Sequence, residues 1–306
     1  MTTIAVTGST GTVGTGLMPY LRADDRAERI IESRADVRDA DALQAALAGA
    51  DVVVHLAFDT VGGVPRGKLH ELNVKGTLNA VRAAGAVGAR RFVFASSVAA
   101  YGFHRDNPVP LPEDWPTRPD EQFWYARQKA ELETALTAEA DGLELYLVRP
   151  AVVLGPHPAG AKLPGPLNGI VNRGLRSLGR SPVPLPVPAP DFPLQVVHED
   201  DLGAVFAECA LGDAPAGAYN AAADGVLTGP NVARELGLRP VVVPARVTQA
   251  LARGAAALPL FPPGLEWVEA AAHPAIMDTT KAKRELGWAP RHSALDTLRI
   301  TLGVGG

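Results

Sequence analysis

The sequence predicts an α/β fold built on a doubly wound parallel sheet, and three observations carry that expectation. From residue 3 to about 149, short β-branched runs alternate with Ala/Leu-rich helical stretches, as in successive β-α-β units. The stretch Thr7-Gly8-Ser9-Thr10-Gly11-Thr12-Val13-Gly14 closes the first run and opens the first helix. Past Pro150 the alternation stops and prolines crowd the chain.

In order, strands are expected at Ile4-Val6, Ile30-Glu32, Val52-Leu56, Phe92-Ala95 and Leu145-Val148, with helices at Asp39-Ala48, Leu69-Ala86 and Glu121-Ala140. Pro156, Pro158, Pro164 and Pro166 are followed by prolines at every second position from 182 to 190, a spacing that helices and central strands reject. This segment is expected to be extended and surface-lying, as a linker or, the favoured reading, as a lid over a substrate cleft. Short elements then resume, with a helix start near Asp278-Thr-Thr and an exit at Pro290. The expected division is a dinucleotide-binding region at 1-150 carrying the catalytic residues, and a mainly substrate-binding region at 151-306 with some segments returning to the sheet.

At 306 residues, with 47% hydrophobic and 20% charged content, the chain can bury a large core. A formal net charge of -4 gives no electrostatic reason to expect nucleic acid or an anionic membrane, so a small molecule is the default partner. The single cysteine, Cys209, excludes an internal disulfide and reads as a buried small residue rather than a nucleophile. The N-terminal residues lack the look of a secretory signal and no run approaches a membrane span, so the expected location is cytoplasmic. The seven histidines are scattered, and no metal site is expected.

The glycine-rich turn has a chemical reading. Glycines let the backbone turn sharply and approach a pyrophosphate, while free N–H groups and the helix dipole stabilise its charge. Glu32, 24 positions beyond Gly8, stands where an acid accepts hydrogen bonds from an adenosine ribose, which favours NAD. Arg34 could instead pair with the 2′-phosphate of NADP, so the preference for NAD is slight. Asp36 and Val37 are placed to face the adenine. Further along, Tyr125-Ala-Arg-Gln-Lys129 puts a phenol and an ammonium one helical turn apart on one face. A tyrosine titrates near ~10 in water, and an adjacent cation favours its phenolate, as proton exchange with a substrate oxygen requires.

These segments, with Val54-His55-Leu56-Ala57, Asn73-Val-Lys-Gly-Thr77, Phe94-Ala-Ser-Ser97-Val-Ala-Ala-Tyr101-Gly102, Glu133, Arg149-Pro150, Gly155-Pro156, Val197-His-Glu-Asp-Asp201, Tyr219-Asn220 and Glu285-Leu-Gly-Trp288-Ala-Pro290, are collinear along nearly the whole chain. In this the sequence resembles the extended short-chain dehydrogenase/reductase family, the group of NAD-dependent nucleotide-sugar epimerases and dehydratases, whose sheet is of the Rossmann type. The resemblance implies that Tyr125 is the general acid/base, that Lys129 holds the nicotinamide ribose and lowers the tyrosine pKa, and that Ser97 hydrogen-bonds the reacting oxygen. It places the cofactor along Gly8, Thr10, Gly11, Thr12, Val13, Gly14, Leu56, Ala57, Phe58, Asn73, Ala95, Ser96, Pro150, Val152 and Val153. Arg149, Asp201, His55 and His198 read as structural, Asp201 as a helix N-cap. A homodimer across the helices at Asn73-Ala86 and Tyr125-Ala140 is implied as well, although the apolar residues there could equally pack inside the monomer.

The departures from the family pattern bear on function. Only about four residues separate the Glu32 strand end from Asp36, so one edge strand and its helix are expected to be missing. Val98 and Ala99 stand where sugar 4,6-dehydratases carry an Asp-Glu pair, which removes the acid and base of elimination. The proline-rich segment offers few cations apart from Lys162, Arg173, Arg176 and Arg180, and an apolar or carbonyl-bearing small molecule suits it at least as well as a nucleotide diphosphate. The leading expectation is hydride transfer at a carbinol or carbonyl carbon with NAD or NADP. The alternatives are a nucleotide-sugar epimerase and, in another class, a dinucleotide-binding sensor or scaffold without turnover.

Overall fold

The computed structural model describes residues 1–59, 66–120, 123–157, 185–244, 247 and 275–303. Six parallel strands form the central Rossmann-type sheet: β1 (Thr2–Thr7), β2 (Ala27–Ser33), β3 (Val52–His55), β4 (Arg91–Ala95), β5 (Glu144–Pro150) and β9 (Gly217–Ala221), in the order β2-β1-β3-β4-β5-β9. Strands buried on both faces read as near-continuous apolar runs, and every residue of Val52-Val-Val-His55 and of Arg91-Phe-Val-Phe-Ala95 is buried, the polar His55 and Arg91 standing at strand ends where they find hydrogen-bond partners.

Alternate side chains serve opposite faces. Ile4, Val6, Val52, Val54 and Val93 pack with α1 (Thr12–Ala23) and α6 (Glu199–Leu211) through Leu17, Val205 and Phe206. Ala5, Val53, Phe92 and Phe94 face the other side, where α2 (Ala40–Ala46), α4 (Gly76–Ala86) and α5 (Trp124–Glu139) supply Leu43, Val81, Leu132 and Leu136. Helices α1 and α6 cross at two glycines: a methyl added to Gly16 would lie 2.3 Å from the Glu199 carbonyl, and one on Gly203 would lie 2.2 Å from that of Gly16. Cys209 lies in this core, fully buried, and burial pushes its thiol pKa up, as expected of a packing residue.

The shortened nucleotide side is visible in the topology. Among the described residues β2 is the sheet edge, hydrogen-bonded to β1 alone. From Ser33 the chain passes in six residues to α2, capped by the Asp39 carboxylate accepting from Ala42 N at 3.0 Å. Because β1 lies between β2 and β3, the chain reverses direction there and opens a crevice at the carboxyl ends of β1 and β3.

The helical run expected at Leu69-Ala86 is interrupted. It begins as α3 (Arg66–His70), widens into a π-type turn over Glu71–Lys75 and continues as α4. Beyond β5 come β6 (Val152–Leu154), β7 (Pro186–Asp191), β8 (Val196–His198), α7 (Gly229–Glu235), β10 (Arg239–Pro244), α8 (Thr280–Glu285) and α9 (Ala294–Leu302), with β6 pairing β8 and β7 pairing β10 in parallel.

Here the structure corrects the expected loop, because Pro186, Pro188 and Pro190 belong to strand β7. In a parallel pair, alternate residues turn both backbone groups toward the neighbour, and the bond from Arg239 N to Leu185 O assigns the odd-numbered residues to that role. The prolines therefore direct their missing N–H away from β10, as an edge strand permits. The remainder of the lid reading, including Pro158, Pro164, Pro166 and the four cations, falls at 158–184, outside the described residues.

Candidate active site

The crevice is lined first by the glycine turn. Gly8 has φ +75°, and a methyl there would sit 2.7 Å from Ala57 N and 2.8 Å from Leu56 C, so the turn presses against the exit of β3. On Gly14 a methyl would lie 2.5 Å from Gly8 O. Gly11 N donates to Gly8 O at 3.0 Å and caps α1 without any side-chain hydrogen bond, and no acid occupies the first turn. Thr10 and Gly11 are exposed, Thr12 and Val13 partly so. The result is an open helix N-terminus whose positive end faces the crevice, fitting a pyrophosphate.

Glu32, at the end of β2, is held beside this turn. Hydrogen bonds from Ser9 and Arg22, the latter at 2.6 Å, lower its carboxyl pKa, and the charge of exposed Arg34 adds to the effect. Asp36 and Val37 follow at the same sheet edge, with exposed and buried side chains respectively. Arg38 takes the Asp36 carboxylate at 2.5 Å and lowers its pKa to about 2, while Val37 is buried against Gly76.

The three residues expected to be catalytic, Ser97, Tyr125 and Lys129, come together at the carboxyl end of β4. Ser97 caps a 3₁₀ turn over Val98–Tyr101, its Oγ accepting from Ala99 N at 3.2 Å, and it also hydrogen-bonds the Tyr125 phenol. One turn along α5, the Lys129 ammonium donates to Ala95 O at 2.6 Å and lies 3.4 Å from the centroid of the Phe58 ring. Burial pushes the Tyr125 pKa up, with Ser97 opposing, and pushes that of Lys129 well down, with Glu133 opposing. The expectation that Lys129 lowers the phenol is therefore corrected: its nitrogen stands 5.7 Å from the tyrosine ring centroid, over an aromatic face and in a buried setting that disfavours its own charge.

Several expected cofactor residues turn toward the protein. Ser96 Oγ donates to Glu133. Fully buried Asn73 uses the widened π-type turn to donate to Asp59 O and Gln128 Oε1, both at 3.0 Å, and accepts from Asp59 N at 2.9 Å, pinning the loop that carries Ala57 and Phe58. Pro150 ends β5, and partly exposed Val152 and Val153 continue from it in β6. His55 bridges Thr7 and Thr77 at 2.8 and 3.0 Å, and burial lowers its pKa to about 3, so it is the structural residue expected. His198 is the N-cap of α6, with Asp200 N donating to it at 3.2 Å. Asp201 is structural for a different reason from the one expected: it accepts from Arg291 N and His292 N, each at 3.0 Å, tying down the C-terminal turn.

The residues present fit a nicotinamide dinucleotide at both ends: a glycine cradle that tolerates no β-carbon at Gly8 or Gly14, and a Ser-Tyr-Lys trio one crevice away.

A family model described as NAD dependent epimerase/dehydratase matches residues 4–183. The chain belongs to that family. Protein y4nG of Sinorhizobium fredii is 30% identical over 293 residues, covering 88% of this chain and 69% of that protein. The N-acetyl-alpha-D-glucosaminyl-diphospho-ditrans,octacis-undecaprenol 4-epimerase of Escherichia coli O157:H7 is 32% identical over 165 residues, and the match spans 50% of this chain and 49% of that enzyme. In fold, the chain is similar to RMD from Pseudomonas aeruginosa, solved in complex with NADPH, with a TM-score of 0.72 at 20% identity over 99% of this chain and 98% of that one.

What sequence reasoning left without a role in this epimerase/dehydratase frame is the support beneath the trio. Glu133 accepts from Ser96 and from the Arg149 guanidinium, 2.5 Å away. Arg149 also donates to Tyr101 Oη at 2.8 Å, and Tyr101 donates to Asn220 Oδ1 at 2.8 Å. The signal for Glu133 was present, since 125, 129 and 133 repeat every fourth residue on one helical face. Nothing in the spacing announces the ring of aromatics around Tyr125: Phe58, Phe123 and Trp124 have centroids 5.8, 5.9 and 6.0 Å from its own.

Proposed function

We propose that this chain is an NAD(P)-dependent oxidoreductase acting at a carbinol or carbonyl carbon of a small molecule. The observation that supports it most directly is the contact of Ser97 with the Tyr125 phenol, one helical turn from a buried lysine. Bound dinucleotide supplies or accepts hydride. Tyr125 gives its hydroxyl proton to the carbonyl oxygen in reduction and, as phenolate, takes the proton of the alcohol in oxidation. Ser97 orients that oxygen, and Lys129, anchored on Ala95 O, lies within reach of a ribose beside the phenol. Glycines 8, 11 and 14 and the first turn of α1 hold the pyrophosphate; Glu32 binds the adenosine ribose, which favours NAD slightly, with Arg34 the group that would receive a 2′-phosphate.

The epimerase relative supports a second reading, in which the oxidised sugar of a nucleotide sugar is reduced again on its other face. The proposal also takes the enzyme to be cytoplasmic; among the described residues no helix is long and apolar enough to cross a membrane. A homodimer would pair α4 and α5, which the Arg82–Glu139 ion pair, 2.7 Å long, joins within one chain.

Calorimetric titration with NAD, NADH, NADP and NADPH, followed by assay of Tyr125→Phe, tests the proposal. One dinucleotide should bind tightly, and the variant should bind it unchanged while losing turnover. Binding of none, or a variant that keeps most activity, refutes the mechanism. Dinucleotide retained through purification with no net redox change would select the epimerase reading.

A further inference from the structure

Lys129 carries its charge in an unfavourable place. The residue is 2% exposed, and burial pushes its pKa well below the ordinary lysine value. The titratable groups around it are only partly in its favour. Glu133, one turn further along α5, favours the ammonium but is shared with Arg149, 2.5 Å away, and with Ser96. His55 of β3, whose pKa is lowered to about 3 by burial and then by the Lys129 charge itself, is neutral. The Tyr125 phenol, its pKa raised by burial, is uncharged at neutral pH. From β4, the Ala95 carbonyl accepts one N–H at 2.6 Å.

A further partner is a ring. The lysine nitrogen lies 3.4 Å from the Phe58 centroid, against 4.8 Å for Phe94 and 5.7 Å for Tyr125, so Phe58 presents the nearest aromatic face. Such a face is negative and attracts a cation, more strongly where both are withdrawn from water. Phe58 follows β3 in a loop, and two contacts fix it there. Its ring meets that of Tyr125 edge to face, with centroids 5.8 Å apart, and Asn73 holds both backbone groups of the next residue, Asp59.

We propose that Phe58 is a positioning residue acting through Lys129: its ring face is the partner that keeps the buried ammonium charged for the nicotinamide ribose. This rests on the reading above, in which Lys129 serves that ribose. A leucine at 58 fills similar space without a negative face, so the ammonium gives up its proton more readily, whereas a tyrosine keeps the face.

The test is the affinity for NADH and NADPH, measured by calorimetry from neutral to alkaline pH. The charged lysine is the form that bonds the ribose, so affinity should fall about tenfold or more as pH rises through its titration. In Phe58→Leu the fall should come about one pH unit lower. Phe58→Tyr should restore the original position, and Lys129→Met should bind weakly at every pH with the fall abolished. Circular dichroism checks that each variant is folded, and Phe58→Met, which also lacks the face, replaces the leucine variant if that one is not.

Coincident pH profiles for Phe58→Leu and the unaltered enzyme, whatever the overall loss of affinity, would overturn the assignment and leave Phe58 a packing residue. A tyrosine variant shifted as far as the leucine variant would do the same. In either case weak binding by Lys129→Met would leave the reading of Lys129 intact. If no dinucleotide binds, or Lys129→Met binds as tightly as the unaltered enzyme, that reading falls and this assignment falls with it.

Discussion

Glu133 and Arg149 meet at 2.5 Å beneath the Ser97-Tyr125-Lys129 trio, and both side chains are less than a tenth exposed. A buried ion pair adds little over a well-packed apolar pair, but breaking it on one side strands a charge. Glu133→Gln should therefore cost about 3–5 kcal/mol in urea unfolding at pH 7. Combining it with Arg149→Met should recover much of that loss, since no charge is left stranded. A double variant as unstable as the sum of its singles would show that the pair does not act as a unit.

Two glycines two residues apart in α1, facing different neighbours, should fail in different ways. A methyl on Gly14 would intrude on the Gly8 carbonyl of the glycine-rich turn, whereas one on Gly16 would press on the Glu199 carbonyl of α6. Gly14→Ala should lose most dinucleotide affinity, about a hundredfold or more, through displacement of the turn that cradles the pyrophosphate. Gly16→Ala should lose about 1–3 kcal/mol of stability with affinity nearly intact in whatever remains folded. Calorimetry and urea melts on the two variants read the contrast.

The pH profile of alcohol oxidation should report Tyr125. Burial raises its pKa above the ordinary value and the Ser97 hydrogen bond opposes that rise. Oxidation needs the phenolate, so kcat/KM should climb with pH along an alkaline limb. Ser97→Ala removes the opposing bond and should move the limb to higher pH while lowering the rate at every pH. A limb shifted the other way would contradict this account of the phenol.

Acid should destabilise the fold through His55, whose pKa falls from 6.5 to about 3 on burial between Thr7 and Thr77. The unfolded chain takes up this proton below pH 6.5 and the folded chain does not until near 3, so stability is full above 6.5 and declines through that window. The loss at pH 5 is about 2 kcal/mol. Urea midpoints at pH 7 and pH 5 measure it, and His55→Asn should show a smaller drop between the two.

How far the sequence reaches follows from what is local. The first five strands of the central sheet, the glycine turn after β1, the missing edge strand beyond Glu32 and the one-turn spacing of Tyr125 and Lys129 were legible, because period, turn chemistry and helical pitch act between near neighbours, whereas β9 and the strands past Pro150 were not placed. The proline run misled as to type. Its period of two reads as a loop until the partner strand β10, some fifty residues on, shows which side of β7 needs no N–H.

What only the tertiary structure decided is what depends on burial and on contacts between distant segments. Ser96 and Asn73 carry no sign in one dimension of their partners in the fold, the Glu133 carboxylate and the Asp59 backbone. A lysine four residues from a tyrosine suggests a lowered phenol, but burial of both groups acts the other way, pushing the phenol up and the ammonium down. By itself the sequence determined which groups of the chain could do chemistry; packing determined which are free to do it and with what proton affinity, because desolvation and partner competition are properties of a neighbourhood that the linear order does not contain.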